Sequence, residues 1–399
     1  MIERKKYTDW LIRHRNDQLI KVITGVRRSG KSTLFTLYQE ILKKDGVQED
    51  QIIHLNFEDL RYYDLRDFLK LNEYILEHTN EKQDYYLFFD EIQNVTKFEE
   101  VVNSLNLQKN IDIYVTGSNA FFMSGEFATL LTGRHADLEV LPLSFKEFQS
   151  QYSHLSLADT YERYKHTAFP RLVSEESVQE RNDYIRSTYN DIVLKDIVQR
   201  YKITEQDILE RVLQFIASSV GSEVSINRIN NFLKDEKVAK SNNTVERYVD
   251  AFVNGLIIYK VPRYNIKGRQ ILQRLEKYYL VDLGFRELLL PLSGGDEGHI
   301  LENIIYLELR RRYVKVYVGK NDKTEVDFVC IDHENHQVYY QVALQTLDEK
   351  VLGRELRSLE AIDDMYPKYL LTLDTINKNA NYNGIIKKNV LDWLMEEGE

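Results

Sequence analysis

The sequence has one cysteine, Cys330, and only five prolines among its 399 residues. A single thiol excludes an internal disulfide framework and every zinc site built on several cysteines. With so few prolines and only 17 glycines, long flexible linkers are not expected. No run approaches the roughly 20 consecutive apolar residues of a helical membrane span. The opening Met1-Ile-Glu-Arg-Lys-Lys is not followed by the apolar stretch of a secretory signal, so a cytoplasmic protein with no membrane partner is expected. Positive charge is in deficit too, with 53 Lys and Arg against 63 Asp and Glu and a net charge of −10. Such a chain has no global attraction for nucleic acid, and any such contact needs a local basic surface. Repeats and low-complexity segments are also missing. What the chain does have is apolar material: 43% hydrophobic residues exclude a wholly disordered protein, and the length suggests two to three domains.

The first 150 residues carry the densest chemistry. Ile20–Gly25 is a short apolar run that reads as a buried strand. It leads into Gly25-Val-Arg-Arg-Ser29-Gly30-Lys31-Ser32, a full match to G-x-x-x-x-G-K-[ST], and then into a segment from Thr33 with helical apolar spacing. Strand, loop and helix stand in the order a phosphate-binding loop needs. The glycines let the backbone curl so that its N–H groups face phosphate at a helix N-terminus. Lys31 is positioned to reach the β- and γ-phosphates and the Ser32 hydroxyl to bind Mg²⁺, with Gly25, Arg28, Ser29, Gly30 and Thr33 completing the nucleotide contacts. Four more strand-like runs follow, Ile52–Phe57, Tyr86–Phe89, Ile111–Thr116 and Ala136–Leu141, which describe a mostly parallel sheet with helices on its faces. The second ends in Asp90-Glu91. Asp90 suits Mg²⁺, and Glu91 can polarise an attacking water.

A glycine loop, an additional strand and then an acidic pair is an order that resembles the catalytic-glutamate branch of the P-loop ATPases, to which AAA proteins belong. By that resemblance, Thr116-Gly-Ser118-Asn119 stands where the branch keeps its γ-phosphate sensor, and Asn119 or Ser118 holds the attacking water. Arg134, in Thr132-Gly-Arg-His135, is a candidate for stabilising γ-phosphate charge, in cis or from a neighbouring subunit; the alternative is a plain surface arginine. Arg27 and Arg28 are open to phosphate or to solvent. Together with Leu141-Pro-Leu-Ser-Phe-Lys-Glu-Phe148, these motifs resemble the prokaryotic AAA-superfamily ATPases fused to a C-terminal nuclease-like domain of unknown function. The resemblance implies ATP and Mg²⁺ as ligands and a homo-oligomer as the assembly. One departure is Thr167-Ala168-Phe169-Pro170, where relatives tend to have Gly-Gly-aromatic-Pro.

The expected architecture is α/β: an AAA-type ATPase domain over 1–150, a helical connector with a winged-helix-like module over 151–290, and an α/β domain over 291–399 that resembles the PD-(D/E)xK nuclease core. In the middle region, Ile208, Leu209, Val212, Phe215 and Ile216 mark one helix, and Ser225 caps a second. Val245, Tyr248, Val249 and Phe252 mark a third, and Leu256–Pro262 with Gln270–Leu275 can pair as a wing. Candidate DNA contacts are Lys237, Lys240, Ser241, Asn242, Asn243 and Arg247, with Lys267 and Arg269 in the wing. Over 203–290 there are 13 Lys and Arg against 11 Asp and Glu, a faintly basic balance that suits DNA contact or plain scaffolding.

In the last region, Asp327 matches the nuclease aspartate, but the Glu-x-Lys position reads Gln341-Val-Ala343. Glutamine is a weak metal ligand and alanine cannot activate water, so loss of cleavage is expected. Cys330, His333 and His336 have a zinc-like spacing, but they fall at an expected hairpin and read better as turn residues. Two functions follow from the whole chain: an ATPase moving its downstream domains, on DNA, or a nucleotide-controlled switch that binds a protein partner.

Overall fold

The computed structural model describes residues 2–118, 122, 129–131, 133–290, 296–322 and 324–397. It has two compact units, 1–142 with 254–256, and 143–253 with 257–399.

The first unit begins with α1 (Lys5–Arg13), β1 (Ile20–Thr24) and α2 (Lys31–Lys44). It continues through β2 (Ile52–Asn56), α3 (Phe68–His78), β3 (Tyr85–Asp90), α4 (Phe98–Leu105), β4 (Ile111–Gly117) and β5 (His135–Glu139). The strands form one sheet in the order β2-β3-β4-β1-β5, and every pairing is parallel. β4 therefore separates the strand of the glycine loop from the strand of the acidic pair, as the motif order implied. Every residue of β1, β3 and β4 is buried. Their near-continuous apolar runs are what a parallel sheet needs when both faces are covered. Leu71, Ile75, Val101, Val102 and Leu105 of α3 and α4 cover one face, against Val22, Leu87, Phe89, Ile113 and Val115. Tyr7, Leu11, Leu34, Phe35, Tyr38 and Leu42 of α1 and α2 cover the other, against Ile23, Phe88 and Tyr114. The i, i+4 repeat of Leu34, Tyr38 and Leu42 supplies the apolar stripe of α2.

The second unit starts with helices. Val178–Asn190 runs on into a wider π-helical stretch, Asp191–Gln199. Gln206–Ser218, Ile226–Asp235 and Asn242–Asn254 follow, and Ser225 caps the middle one by accepting from the Arg228 amide at 3.2 Å, as its position predicted. The expected hairpin forms from β6 (Ile258–Asn265) and β7 (Gln270–Leu280). It is not a free-standing wing. The open edge of β6 pairs in parallel with β8 (Lys315–Asn321), Arg263–Asn265 against Val318–Lys320. That pairing satisfies backbone groups that a lone wing leaves to solvent. β9 (Thr324–Ile331), β10 (Gln337–Ala343), β11 (Lys368–Thr372), β12 (Ala380–Tyr382) and β13 (Ile385–Asn389) complete a mixed sheet in the order β12-β13-β11-β10-β9-β8-β6-β7. Helices Glu297–Arg312 and Glu349–Glu360 belong to the same region.

The Thr167–Pro170 turn keeps a tight approach without glycines. The Ala168 amide donates to Asp282 Oδ2 at 2.7 Å, and the Ala168 carbonyl accepts from Leu143 N at 2.8 Å. Asp282 also caps the helix Leu283–Leu289 through Gly284 N at 2.9 Å. Burial pushes its carboxyl up to about 7 even though these N–H donors pull the other way. Cys330 is fully buried in β9, where burial holds its thiol above the usual range, while His336 is exposed and faces Asp332. Among the described residues no group of three or more His, Cys, Asp or Glu is placed to hold a metal ion, and no helix is long and apolar enough to cross a membrane.

Candidate functional site: a phosphate loop beside an acidic strand end

In a parallel sheet all strands finish at one edge, and ligands sit beyond that edge. Here it gathers the Gly25–Gly30 loop after β1, Asp90 at the end of β3, Thr116 and Ser118 at the end of β4, and Asn56 beside Asp90 across β2 and β3. The loop needs its glycines for geometric reasons. Gly25 has φ +149°, and a Cβ there would lie 2.3 Å from the Val140 carbonyl oxygen. Gly30 turns into α2 in the left-handed region at φ +103°. No side chain caps α2, which leaves its first-turn N–H groups for a ligand.

Lys31 is buried and its ammonium is held on backbone carbonyls, 2.9 Å from Gly25 O and 3.2 Å from Val26 O. It stands 4.0 Å from Glu91 Oε1. Ser32 and Thr33 are exposed at the start of α2. Asp90 is buried, with Oδ1 accepting from the Thr116 hydroxyl at 2.5 Å and Oδ2 from Asn56 Nδ2 at 3.4 Å. The same Thr116 oxygen accepts from the Glu91 amide at 2.9 Å. Glu91 sits at φ +54°, an uncommon conformation for a residue with a Cβ, and its carboxylate accepts from the Gln93 side chain. The structure thus brings Lys31, Asp90 and Glu91 to one place.

Other expected residues fall differently. Arg27 pairs with Glu58 at 2.9 Å, and Arg28 adopts φ +66° within the loop. Ser118 is buried at the edge, while Asn119 lies outside the described residues. Arg134 is exposed and sits at the far edge of the sheet: its carbonyl accepts from Ile20 N, at the start of β1, at 2.9 Å. By strand rise that is ~13 Å from the residue that opens the loop. Within one chain, the fold does not bring Arg134 to Lys31.

Two residues that touch the site, Arg4 and Asn56, escaped the sequence reading, and Thr116 was read only as part of the sensor motif. Arg4 is buried and donates to Ser29 O at 3.0 Å and Leu141 O at 2.8 Å, which ties the loop to the segment after β5. Thr116 and Asn56 hold Asp90. Each lies far in sequence from what it touches, and only the polar residues at the ends of apolar strands gave any signal.

ATP and Mg²⁺ fit the residues present. Thr24 Oγ1, Ser29 Oγ and Ser118 Oγ are buried hydroxyls with no hydrogen-bond partner among the described residues. Orphaned donors at an uncapped helix N-terminus suit an anionic oxygen-rich ligand.

An AAA domain family model matches residues 17–149, and a model described as a domain of unknown function (DUF8612) matches 158–296. The second model thus falls on the middle region, ahead of the last hundred residues. An uncharacterized protein of Haemophilus influenzae is 37% identical over 99% of both chains. Another, from Methanocaldococcus jannaschii, is 32% identical over 91% of this chain and 82% of that one. Among solved structures, the Walker-type ATPase PABY2304 of Pyrococcus abyssi shares 13% identity at a TM-score of 0.46, covering 72% of this chain and 96% of that one. AMPPCP-bound DnaA from Aquifex aeolicus shares 14% at 0.33, covering 62% and 85%. The chain belongs to the family of the Haemophilus influenzae protein, and in this chain an AAA domain precedes a domain of unknown function.

Proposed function

We propose that this chain binds ATP with Mg²⁺ and hydrolyses it, and that the nucleotide state controls a partner-binding region downstream. The observation that carries the reading is the convergence of Lys31, Asp90 and Glu91 at an uncapped helix N-terminus. Lys31 would leave the Gly25 and Val26 carbonyls for the β- and γ-phosphates, while the loop N–H groups, Arg28, Ser29 and Thr33 bind phosphate oxygens. Ser32 and Asp90 would hold Mg²⁺, which when bound neutralises charge on the phosphates. Thr116 keeps Asp90 and the Glu91 backbone in register. Glu91 takes a proton from the attacking water, which Asn119 or Ser118 positions. Since Arg134 stands at the opposite edge of the sheet, its role in this reading is in trans, within a homo-oligomer.

For the downstream role, one observation favours a protein partner over DNA. Lys240 is paired with Glu205, and Lys267 with Asp322. Asn242 already uses its amide on Asn227 and its carbonyl on Asn230. Groups engaged this way are less free to read bases or hold phosphates. Lys237, Asn243 and Arg247 remain exposed candidates. On this reading the ATPase domain, the winged-helix-like middle and the nuclease-like end are three parts of one switch. Phosphate release from ATP with Mg²⁺, measured with and without single- and double-stranded DNA and with Lys31→Ala as the blank, tests it. Turnover above the blank and indifferent to DNA is expected; DNA stimulation transfers the role to DNA, and no turnover above the blank removes the ATPase.

A further inference from the structure

The second unit contains a charge cluster that ATP chemistry does not use. Lys277 projects from β7 with 4% of its side chain exposed. Its Nζ lies 2.9 Å from Glu325 Oε1, 3.1 Å from Glu302 Oε1 and 3.8 Å from Asp327 Oδ1. Glu302 comes from the helix Glu297–Arg312, and the other two carboxylates come from β9. Further groups fix the cluster in place. Glu302 accepts from the Tyr279 hydroxyl at 2.6 Å, and Asp327 Oδ2 accepts from the Val342 amide at 2.9 Å. Gly221, at φ +71°, closes over Glu302, where a Cβ would stand 2.8 Å from Oε2. Gln341, beside Asp327, is already engaged: its Nε2 donates to Glu355 at 3.0 Å, and its Oε1 accepts from Ser358 Oγ at 3.2 Å and from the Asp327 backbone amide at 3.3 Å.

We propose that the Lys277 ammonium is the resident cation of this cluster, and that its position among Glu302, Glu325 and Asp327, which as they stand around it are not spaced to hold a metal ion, keeps a divalent ion out. Three carboxylates converging on one buried point repel one another and persist only around a positive charge. The ammonium reaches Glu325 and Glu302 at hydrogen-bond distances of 2.9 and 3.1 Å and Asp327 at an ion-pair distance of 3.8 Å, all longer than metal coordination. A Mg²⁺ or Ca²⁺ ion needs oxygens at about 2.0–2.6 Å. It would share the same oxygens with a like charge a few ångströms away, in surroundings where that repulsion is weakly screened. The sheet therefore carries a cluster that holds its own cation and offsets part of its negative charge from within. Its lysine comes from a strand remote from β9 and β10 in sequence and joins β7, β9 and the helix electrostatically. This inference is independent of the ATPase reading.

The test is Mn²⁺ binding to the nucleotide-free full chain, followed by electron paramagnetic resonance. The site is identified by its loss with Glu302→Gln. The wild type is expected to show no Glu302-dependent site. Lys277→Ala is expected to gain one Mn²⁺ per chain, at least about tenfold tighter than anything the wild type binds there, and added Glu302→Gln should abolish it. A Glu302-dependent site in the wild type overturns the proposal, as does a folded Lys277→Ala that gains none. If Lys277→Ala does not fold, Lys277→Gln retains the stem and carries the same expectation, and the wild-type comparison with Glu302→Gln alone still decides.

Discussion

Lys31 and Lys277 are both buried lysines beside carboxylates, and the difference between them separates the two units chemically. Lys31 rests on two backbone carbonyls and stays 4.0 Å from Glu91. Around it are an uncapped helix and three orphaned hydroxyls. Lys277 is locked directly onto Glu325 and Glu302, and two of its three carboxylates, Glu302 and Asp327, have other donors as well. Burial alone would lower the Lys277 ammonium, yet Glu302, Asp327 and Glu325 hold it above its ordinary value. Carbonyls release a lysine to an arriving phosphate without leaving an anion stranded in the interior; carboxylates do not. A lysine kept a short distance from its acids marks a site waiting for a ligand, and a lysine paired with them marks a site that has supplied its own.

The two lysine lesions are expected to give opposite phenotypes. Lys31→Ala is expected to lower kcat/KM for ATP by about 10²–10³-fold with little change in melting temperature. Lys277→Ala should leave turnover near wild type and cost roughly 3–5 kcal/mol of stability, the usual loss when one partner of a buried pair is removed. Steady-state kinetics beside denaturant titration read both, and matching phenotypes from the two variants contradict the distinction drawn here.

Asp282 makes the stability of the second unit depend on pH. Its folded carboxyl titrates at about 7 against an ordinary 3.8, so between those values the folded state binds the proton and the unfolded state does not. Stability from this group is full below pH ~4, falls as pH rises to ~7 and is level above, by up to about 4 kcal/mol. Burial and the nearby Glu302 likewise push Asp327 up to about 7, with the same sign. Asp282→Asn is expected to flatten the fall, read as the difference between the two proteins' urea midpoints from pH 4.5 to 8. An identical slope in both removes Asp282 as its source.

Smaller effects follow around the loop. Thr116→Val strips Asp90 of a donor and the Glu91 amide of an acceptor, and is expected to cost about 1–3 kcal/mol in transition-state binding, while Thr116→Ser retains most activity. Arg4→Ala should raise KM for ATP severalfold with kcat nearly unchanged, and Arg4→Lys should recover part of the loss. At the bottom of the scale, Lys240→Glu with Arg247→Glu should leave ATP turnover unaltered with or without DNA, because neither residue belongs to the unit that carries the loop. A DNA-dependent change there moves the partner assignment.

The legible part of this molecule was local in sequence. Gly25–Ser32 and Asp90-Glu91 are contiguous, and the chemistry of a phosphate loop follows from residue types at fixed spacing. The apolar runs of β1, β3 and β4 likewise fell within a residue of the observed strands. What could not be read required contacts across the fold. Arg4 stands 25 residues before Ser29 and 137 before Leu141, and nothing in its neighbourhood sets it apart from any other N-terminal arginine. Lys277 is 50 positions from Asp327 and inside an apparently ordinary strand, so a search for Glu-x-Lys beside Asp327 found only Gln341 and Ala343. The hairpin of β6 and β7 was visible, but not its second partner, because the edge that pairs with β8 is made of backbone groups that every sequence has.

In the proposed mechanism Lys31 binds the nucleotide and Glu91 acts on the water. Mixing labelled ATP and Mg²⁺ with the wild type, Lys31→Ala and Glu91→Gln, and following retained ATP and released phosphate in the same samples, tests it directly. The expected result is phosphate release by the wild type, retained but intact ATP on Glu91→Gln, and neither retention nor release with Lys31→Ala. Wild-type rates of release from both variants would contradict the account.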